Sequence, residues 1–206
     1  MKRGYIFDLF GTLVEHPSVS GIRGKIFPEI DYMEMIKPFI HILDFGTKER
    51  CLEAIAGKFG LALDDSRKDE MLTALDEWER NVKPIEGALK TLAALKERGV
   101  KTALISNANN LIEGALARTG IDKRLDIVVF SHKVGIAKPD VEIFRWCLGK
   151  MGLESENLAM IGDQMELDIA PAESIGIRGI LFDPRGAHPD YKHRVASLQE
   201  LLDYSF

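Results

Sequence analysis

Four polar residues stand beside short apolar runs of this sequence, and their types could act on one small molecule: Asp8, Ser106, Lys138 and Asp163. Asp8 comes directly after Tyr5-Ile6-Phe7, where a carboxylate is costly to bury unless a cation or a metal ion accompanies it. Two carboxylates at neighbouring strand ends would suit Mg2+, and a lysine with a nearby hydroxyl suits an anionic substrate. A carboxylate close to Mg2+ and a phosphate can also serve as a nucleophile.

Each of these residues also has an ordinary structural use. Asp163 and Ser106 are residue types that cap helices by accepting a backbone N–H. Lys138 alone fits a solvated surface position, because lysine side chains are mostly exposed. Asp8 could form a buried structural ion pair. The evidence for a site therefore depends on all four residues occurring together at the predicted strand ends.

Short apolar runs that alternate with helical patterns are the elements that would bring these residues together. Strands are predicted over residues 5–7, 101–105, 126–130, 158–161 and 178–182. Helices are predicted over residues 111–118, 141–151, 167–174 and about 195–202, with Lys138 opening the helix after the third strand. This alternation indicates a parallel sheet with helices on both faces. The carboxyl ends of such strands share one edge, so we expect the four polar residues to meet there.

The stretch between the first two strands has a different pattern. It lacks strand periodicity, and segments 48–59 and 66–81 carry apolar residues at helical spacing. Pro84 is expected to open the next helix and Gly99 to end it. The whole pattern predicts an α/β fold, with a Rossmann-like three-layer core around a parallel sheet and an inserted helical cap domain. The predicted boundaries are residues 1–15 and 83–206 for the core and residues 16–82 for the cap.

The composition excludes several classes of protein. The 206 residues are 46% hydrophobic and 29% charged, as in an ordinary globular domain, and no apolar run approaches the ~18 residues of a membrane-spanning helix. A net charge of -5 without a basic block argues against nucleic-acid binding. Cys51 and Cys147 form no paired motif, which argues against disulfides and zinc. We expect a cytoplasmic monomer or homodimer that binds a small molecule and neither nucleic acid nor membrane.

Four motifs in chain order make the sequence resemble the haloacid dehalogenase (HAD) superfamily. They are Asp8-Leu9-Phe10-Gly11-Thr12-Leu13-Val14, Leu104-Ile105-Ser106-Asn107, Gly135-Ile136-Ala137-Lys138-Pro139-Asp140 and Ile161-Gly162-Asp163, the last followed by Asp168. The motifs cover the whole predicted core, and the segment between Val14 and Lys83 resembles the helical cap that closes over the site in this family. The resemblance implies a hydrolase of the HAD type.

The resemblance also implies roles for the catalytic and substrate-binding residues. Asp8 would be the nucleophile, and Lys138 would neutralise both the nucleophile and the transferring group. Ser106 would hold a substrate oxygen with Asn107 beside it, and Lys138 would complete the substrate site. The implied reaction is hydrolysis of a small phosphorylated metabolite through an aspartyl-phosphate intermediate.

The metal site is likewise implied by the resemblance. Mg2+ would be held by Asp8, by the backbone carbonyl of Phe10 and by Asp163. Asp168 would support this arrangement, either through water or by orienting Lys138.

Phe10 departs from the family pattern. HAD phosphatases usually place a second aspartate two residues after the nucleophile, where it protonates the leaving group and then activates water. Phenylalanine can do neither, and a positioned acid/base is typically worth about 10²–10⁴-fold in rate, roughly 3–5 kcal/mol of barrier. The metal site is expected to persist, because position 10 would contribute its backbone carbonyl and not its side chain.

Three functions therefore remain open at the level of sequence. The first is a Mg2+-dependent phosphohydrolase that favours activated phosphoesters. The second is a 2-haloacid dehalogenase, a class that carries an aromatic Tyr at the position of Phe10 and needs no metal, although Asp163 keeps a carboxylate where dehalogenases tend to have uncharged polar residues. The third is a HAD-fold ligand-binding protein without turnover.

Overall fold

The computed structural model describes residues 3–15, 27 and 41–205, and a parallel sheet of six strands lies at the centre of the described chain. The strands are Gly4–Phe7 (β1), Lys101–Ser106 (β2), Ile127–Phe130 (β3), Leu158–Gly162 (β4), Arg178–Phe182 (β5) and Arg194–Val195 (β6). Their order is β3-β2-β1-β4-β5-β6, and every neighbouring pair is parallel. The predicted α/β fold class is confirmed.

Helices in the described part of the chain flank this sheet or belong to the insertion. They are Lys48–Phe59 (α1), Asp65–Asn81 (α2), Ala88–Glu97 (α3), Ile112–Thr119 (α4), Ser131–Val134 (α5), Val141–Met151 (α6) and Ala170–Glu173 (α7). A π-helical turn, Met165–Ile169, precedes α7, and Leu198–Leu202 forms a 3-10 helix. None of the described helices is both long enough and apolar enough to span a membrane.

Alternating strand residues build one apolar layer on each face of the sheet. In β1, Tyr5 and Phe7 point into a cluster with α3 and α4, whereas Ile6 points into a second cluster with α6. In β2, Leu104 joins the first cluster and Ile105 the second. Side chains of a strand alternate between faces, so a sheet covered on both sides buries nearly every strand residue. The result is the expected three-layer core.

The end of the chain differs from the prediction. A helix is present but begins later than the predicted 195–202, because Arg194–Val195 pairs with Leu181 and Phe182 as β6 and only Leu198–Leu202 is helical. The 3-10 helix begins after Ser197, which forms a capping box with Glu200. A strand of two residues is too short to show the period-2 pattern by which strands are recognised.

The start of α3 also differs from the prediction. Pro84 does not open this helix, which begins at Ala88 after Gly87, a residue with a φ of 82°. Residues other than glycine rarely adopt such a left-handed conformation, and it interrupts a helical path. Pro84 instead forms an isolated antiparallel β-bridge with Val14. Gly99 has a φ of 70° just beyond the helix end, as the predicted stop requires.

The insertion leaves and re-enters the core through two adjacent backbone segments. The N–H of Glu15 donates to the carbonyl of Lys83 at 2.9 Å, and the N–H of Ile85 donates to the carbonyl of Leu13 at 2.9 Å. Within the insertion, α1 and α2 pack around their own apolar cluster, which includes Cys51. Residues 16–26 and 28–40 of the predicted cap lie outside the described residues, and the domain boundaries stay a prediction.

Candidate active site at the carboxyl edge of the sheet

The sheet register brings the predicted site residues to one edge. Phe7 of β1 pairs with Leu104 of β2 on one side and with Ile161 of β4 on the other. Asp8 therefore follows the paired position by one residue, whereas Ser106 and Asp163 each follow it by two, on opposite sides of Asp8. In a parallel sheet this edge is the place where ligands bind between the strand ends.

Lys138 contacts two buried carboxylates at this edge. Its Nζ donates to Oδ1 of Asp8 at 2.5 Å and to Oδ1 of Asp168 at 2.6 Å. All three side chains are at most 7% exposed. Removing one partner of a buried ion pair leaves an uncompensated charge, so these three groups depend on one another.

Burial and charge act on the two titrating groups in opposite ways. Burial raises the pKa of the Asp8 carboxyl above its ordinary value, Lys138 opposes this rise, and the carboxylate of Asp168 adds to it. For Lys138, burial lowers the pKa, but Asp8 and Asp168 raise it by more. The ammonium of Lys138 consequently stays protonated, and a further positive charge beside Asp8 would favour its carboxylate form.

Three carboxylates at this edge lie close enough to share a metal ion. Oxygen atoms of Asp8, Asp163 and Asp168 all lie within 4.8 Å of one another. With Lys138 as the cation in contact with two of them, the fully ionised group would carry two more negative than positive charges. Such a group is unfavourable without a compensating cation, and a set of carboxylate oxygens is what Mg2+ prefers. The donor set therefore fits the predicted metal.

Gly162 allows Asp168 to approach the strand end. The side chain of Asp168 lies against the α-carbon of Gly162, and a Cβ at that position would overlap its carboxylate. Oδ2 of Asp168 accepts a hydrogen bond from the backbone N–H of Gln164 at 3.1 Å, and Gln164 is the N-cap of the π-helical turn Met165–Ile169. Sequence reasoning assigned no role to Gly162, although its place directly before Asp163 was the available signal.

The structure also decides the helix-capping alternatives. The helix after β2 begins at Ile112 with Leu111 at its N-cap, so Ser106 does not cap it. The N-cap residue after β4 is Gln164 and not Asp163. Ser106 is buried at the end of β2, and its predicted contact with substrate stays a prediction.

Lys138 differs from its predicted secondary structure. It does not open a helix, because α6 begins at Val141 with Asp140 as its N-cap. The Asp140 side chain accepts from the backbone N–H of Glu142 at 3.0 Å and so satisfies the helix start. Lys138 lies in the preceding turn.

Asn107 bonds the backbone of this turn. Its Nδ2 donates to the carbonyl of Lys138 at 2.7 Å, and its Oδ1 accepts from the N–H of Lys138 at 2.7 Å. The predicted contact between Asn107 and substrate stays a prediction, and sequence reasoning missed its bonds to Lys138.

Phe10 lies against the cap helix α2. Its ring centroid is 5.9 Å from that of Trp78, and the ring planes are inclined by 35°. Both residues are half-buried and pack against the larger apolar cluster of the core. Phe10 thus belongs to an aromatic contact with α2, and its side chain offers no proton donor or acceptor.

Comparison with known proteins identifies the family of the fold and site. A family model described as haloacid dehalogenase-like hydrolase matches residues 2–176. A glyceraldehyde 3-phosphate phosphatase from Methanocaldococcus jannaschii is 29% identical, over 98% of this chain and 96% of that protein. An (S)-2-haloacid dehalogenase 4A from Burkholderia cepacia is 24% identical, over 97% of this chain and 93% of that protein.

The solved structures agree with the fold described above. The structure of a 2-haloacid dehalogenase from Pseudomonas syringae pv. tomato has a TM-score of 0.72, covers 98% of this chain and is itself covered over 97%. At 19% sequence identity this likeness concerns the fold alone.

Proposed function

The chain belongs to the haloacid dehalogenase-like hydrolases, and within this family we propose that it is a Mg2+-dependent phosphatase of a small phosphorylated metabolite. The cluster of three carboxylates around Lys138 is the observation that carries the proposal. A site that attacks a neutral carbon has no use for a third carboxylate beside its nucleophile. A site that binds a divalent cation and a phosphoryl group uses the third carboxylate as a further oxygen ligand or negative charge for the cation.

Asp8, the backbone carbonyl of Phe10 and Asp163 would hold Mg2+, with Asp168 supporting them. When bound there, the ion supplies positive charge to the Asp8 carboxylate and to the phosphoryl oxygens. Burial raises the pKa of Asp8, and a cation bound beside this carboxyl would counter that rise by favouring the ionised form.

Asp8 acts as the nucleophile in the first step of a two-step reaction. A carboxylate oxygen attacks phosphorus, a new P–O bond forms, and the bond to the leaving-group oxygen breaks with its electron pair going to the leaving group. Water then attacks the phosphorus of the aspartyl phosphate, the P–O bond to Asp8 breaks with its electron pair returning to the carboxylate, and the water protons leave with inorganic phosphate. Dividing one difficult displacement into two easier ones is the general advantage of covalent catalysis.

Lys138 and Ser106 stabilise the group in transfer. The Nζ of Lys138, already bonded to Asp8, is placed to neutralise charge on the phosphoryl oxygens as Asp8 attacks. The hydroxyl of Ser106 donates to a phosphoryl oxygen from the neighbouring strand end. Both groups bind the anionic part of the substrate and leave its organic part to the cap.

Phe10 determines which leaving groups depart readily. Without an acid at position 10, the leaving oxygen departs unprotonated, so the rate depends strongly on the acidity of the alcohol or acid released. Aryl and acyl phosphates are therefore hydrolysed faster than alkyl phosphates. The aromatic contact between Phe10 and Trp78 supports this proposal, because it occupies the position with apolar carbon.

A 2-haloacid dehalogenase is the second candidate, and the full-length similarity to (S)-2-haloacid dehalogenase 4A favours it. Halide departs without a proton, so Phe10 would be no handicap. Asp163 argues against it, because a carboxylate substrate would join three carboxylates in a site with little water.

The test is a panel of p-nitrophenyl phosphate, acetyl phosphate and glycerol phosphate, with phosphate release measured in the presence of Mg2+. We expect turnover of the first two to exceed that of the alkyl phosphate by about 10²-fold or more. Chloride release from 2-chloropropionate without metal is the parallel measurement. Chloride release without phosphate release would establish the dehalogenase.

Two further outcomes complete this test. Equal rates for alkyl and activated phosphates would contradict the account of Phe10 while leaving the phosphatase intact. Mg2+-dependent binding of phosphate esters without any product would establish the ligand-binding protein.

A further inference from the structure

Lys138 occupies a part of the chain with little regular structure of its own. It lies in the turn between α5 and α6, where neither a strand ladder nor a helix determines its backbone. Lysine also has one of the most flexible of the charged side chains, so ordering it carries an entropic cost. Yet its Nζ lies within 2.6 Å of both Asp8 and Asp168. The N–H of Asp140 donates to the carbonyl of Ala137 at 3.0 Å across this turn, and a contact from outside the turn adds a constraint on the Lys138 backbone itself.

Asn107 provides that constraint. Its side-chain amide pairs with both the N–H and the carbonyl of Lys138, each at 2.7 Å. Because Asn107 donates one of these bonds and accepts the other, the pair fixes both the position and the orientation of the Lys138 backbone. Asn107 directly follows β2, so these bonds hold Lys138 at the same sheet edge that carries Asp8.

Neighbouring residues hold the Asn107 segment in turn. Oγ of Ser131 accepts a hydrogen bond from the backbone N–H of Ala108 at 3.0 Å, and Nδ1 of His132 bonds the carbonyl of Ala108 at 2.8 Å. Ser131 and His132 are both buried. The segment is therefore rigid enough for Asn107 to position a residue 31 places further along the chain.

From this geometry we propose that Asn107 is a positioning residue, which holds the Lys138 backbone so that its ammonium stays between Asp8 and Asp168. The proposal changes the role of Asn107 from a substrate contact to a support of the catalytic lysine. It rests on the proposed function only for its kinetic readout, because Lys138 contacts the nucleophile in either a phosphatase or a dehalogenase.

The test is a double-mutant cycle with Asn107→Ala, Lys138→Ala and the double variant, assayed with p-nitrophenyl phosphate and Mg2+. We expect Asn107→Ala to lower kcat by about 100-fold, the typical cost of misplacing a catalytic group by about 1 Å. In the Lys138→Ala background the same change should alter kcat by less than about twofold, since the two residues act through one ammonium.

Asn109→Ala is the matched control. Asn109 belongs to the same segment, and its Oδ1 accepts a hydrogen bond from the N–H of Leu111 at 3.1 Å without contacting Lys138. We expect its kcat to stay within about twofold of wild type. Thermal unfolding of each variant shows which are folded, and Asn107→Asp supplies an isosteric second variant that replaces the amide donor with an oxygen facing the Lys138 carbonyl. Its kcat should fall as well.

Three results would overturn the proposal. The first is an unchanged kcat in folded Asn107→Ala, and the second is an effect that multiplies fully with that of Lys138→Ala. The third is a higher KM at unchanged kcat, the mark of a ground-state substrate contact.

An activity-independent measurement separates this inference from the proposed function. If the wild type releases neither phosphate nor chloride, the proposed function fails, and crystal structures of wild type and Asn107→Ala decide the role of Asn107. A distance from Lys138 Nζ to Asp8 Oδ1 that stays at the 2.5 Å of the wild type would overturn the inference. Displacement of the ammonium beyond hydrogen-bond distance would support it.

Discussion

Two lysines of this protein have nearly the same partners in very different surroundings. Lys138 in the core bonds the carboxylates of Asp8 and Asp168, and its side chain is 3% exposed. Lys48, at the start of cap helix α1, bonds the carboxylates of Asp76 and Glu79 on α2, and its side chain is 23% exposed.

The difference in exposure determines what each arrangement can do. Water and salt screen the Lys48 pairs, so such pairs contribute little to stability. Around Lys138 the charges interact almost without screening, and burial raises the pKa of Asp8 while Lys138 opposes it. The same residue types thus connect two helices, α1 and α2, where solvent reaches them, and form a buried charged cluster at the edge of the sheet.

The largest expected effect comes from replacing each lysine with methionine. Lys138→Met leaves buried carboxylates without their cation and should lower the free energy of unfolding by about 3–5 kcal/mol. Lys48→Met removes partly exposed pairs and should lower it by less than about 1 kcal/mol. Urea unfolding in EDTA measures both variants without the influence of added Mg2+. Equal losses would show that burial does not distinguish the two sites.

The metal requirement should respond to Asp163 next. Asp163→Asn removes one charge from the carboxylate cluster, so we expect the Mg2+ concentration for half-maximal phosphatase activity to rise by about 10-fold or more. Asp76→Asn, the same substitution at a carboxylate beside Lys48, should leave this concentration unaltered. A metal requirement that is unchanged in Asp163→Asn would place Mg2+ elsewhere.

The smallest effect concerns the loss, at low pH, of the hydrogen bonds that Glu79 accepts from Lys48 and Arg118. Burial raises the pKa of Glu79, but hydrogen bonds from Lys48 and Arg118 outweigh it and lower the pKa overall. Because the folded-state pKa is the lower one, these bonds stabilise the fold above the ordinary glutamate pKa of about 4.3 and are lost as the pH falls through the folded value.

Comparing wild type with Glu79→Gln measures this contribution. The difference in unfolding free energy should be below about 1 kcal/mol at neutral pH and should shrink below pH ~4. Glu70→Gln, an exposed position on the same helix, is the matched control. A difference that grows on acidification would contradict the assignment.

The sequence predicts the fold and the common edge of the candidate site residues because local rules suffice for both. A carboxylate directly after a buried apolar strand is visible without a structure, and parallel strands place their ends along one edge. Asp8, Ser106 and Asp163 were found in this way, and the register confirms their common edge.

The remaining features depend on contacts between distant segments. The bonds from Asn107 to Lys138 span 31 residues, and the contact between Phe10 and Trp78 joins the core to the cap. The approach of Asp168 to Gly162 depends on a π-helical turn, which apolar periodicity does not predict. Spacing alone carries no information about such pairings.

Hydrolysis of p-nitrophenyl phosphate by wild type and Asp8→Asn, each with and without Mg2+, tests the central claim most directly. Nitrophenolate needs little protonation to depart, so Phe10 does not limit the transfer of the phosphoryl group to Asp8 in this reaction. We expect turnover that requires both Mg2+ and Asp8, with Asp8→Asn slower by on the order of 10⁴-fold or more. Turnover that persists in Asp8→Asn, or that is independent of Mg2+, would contradict the account.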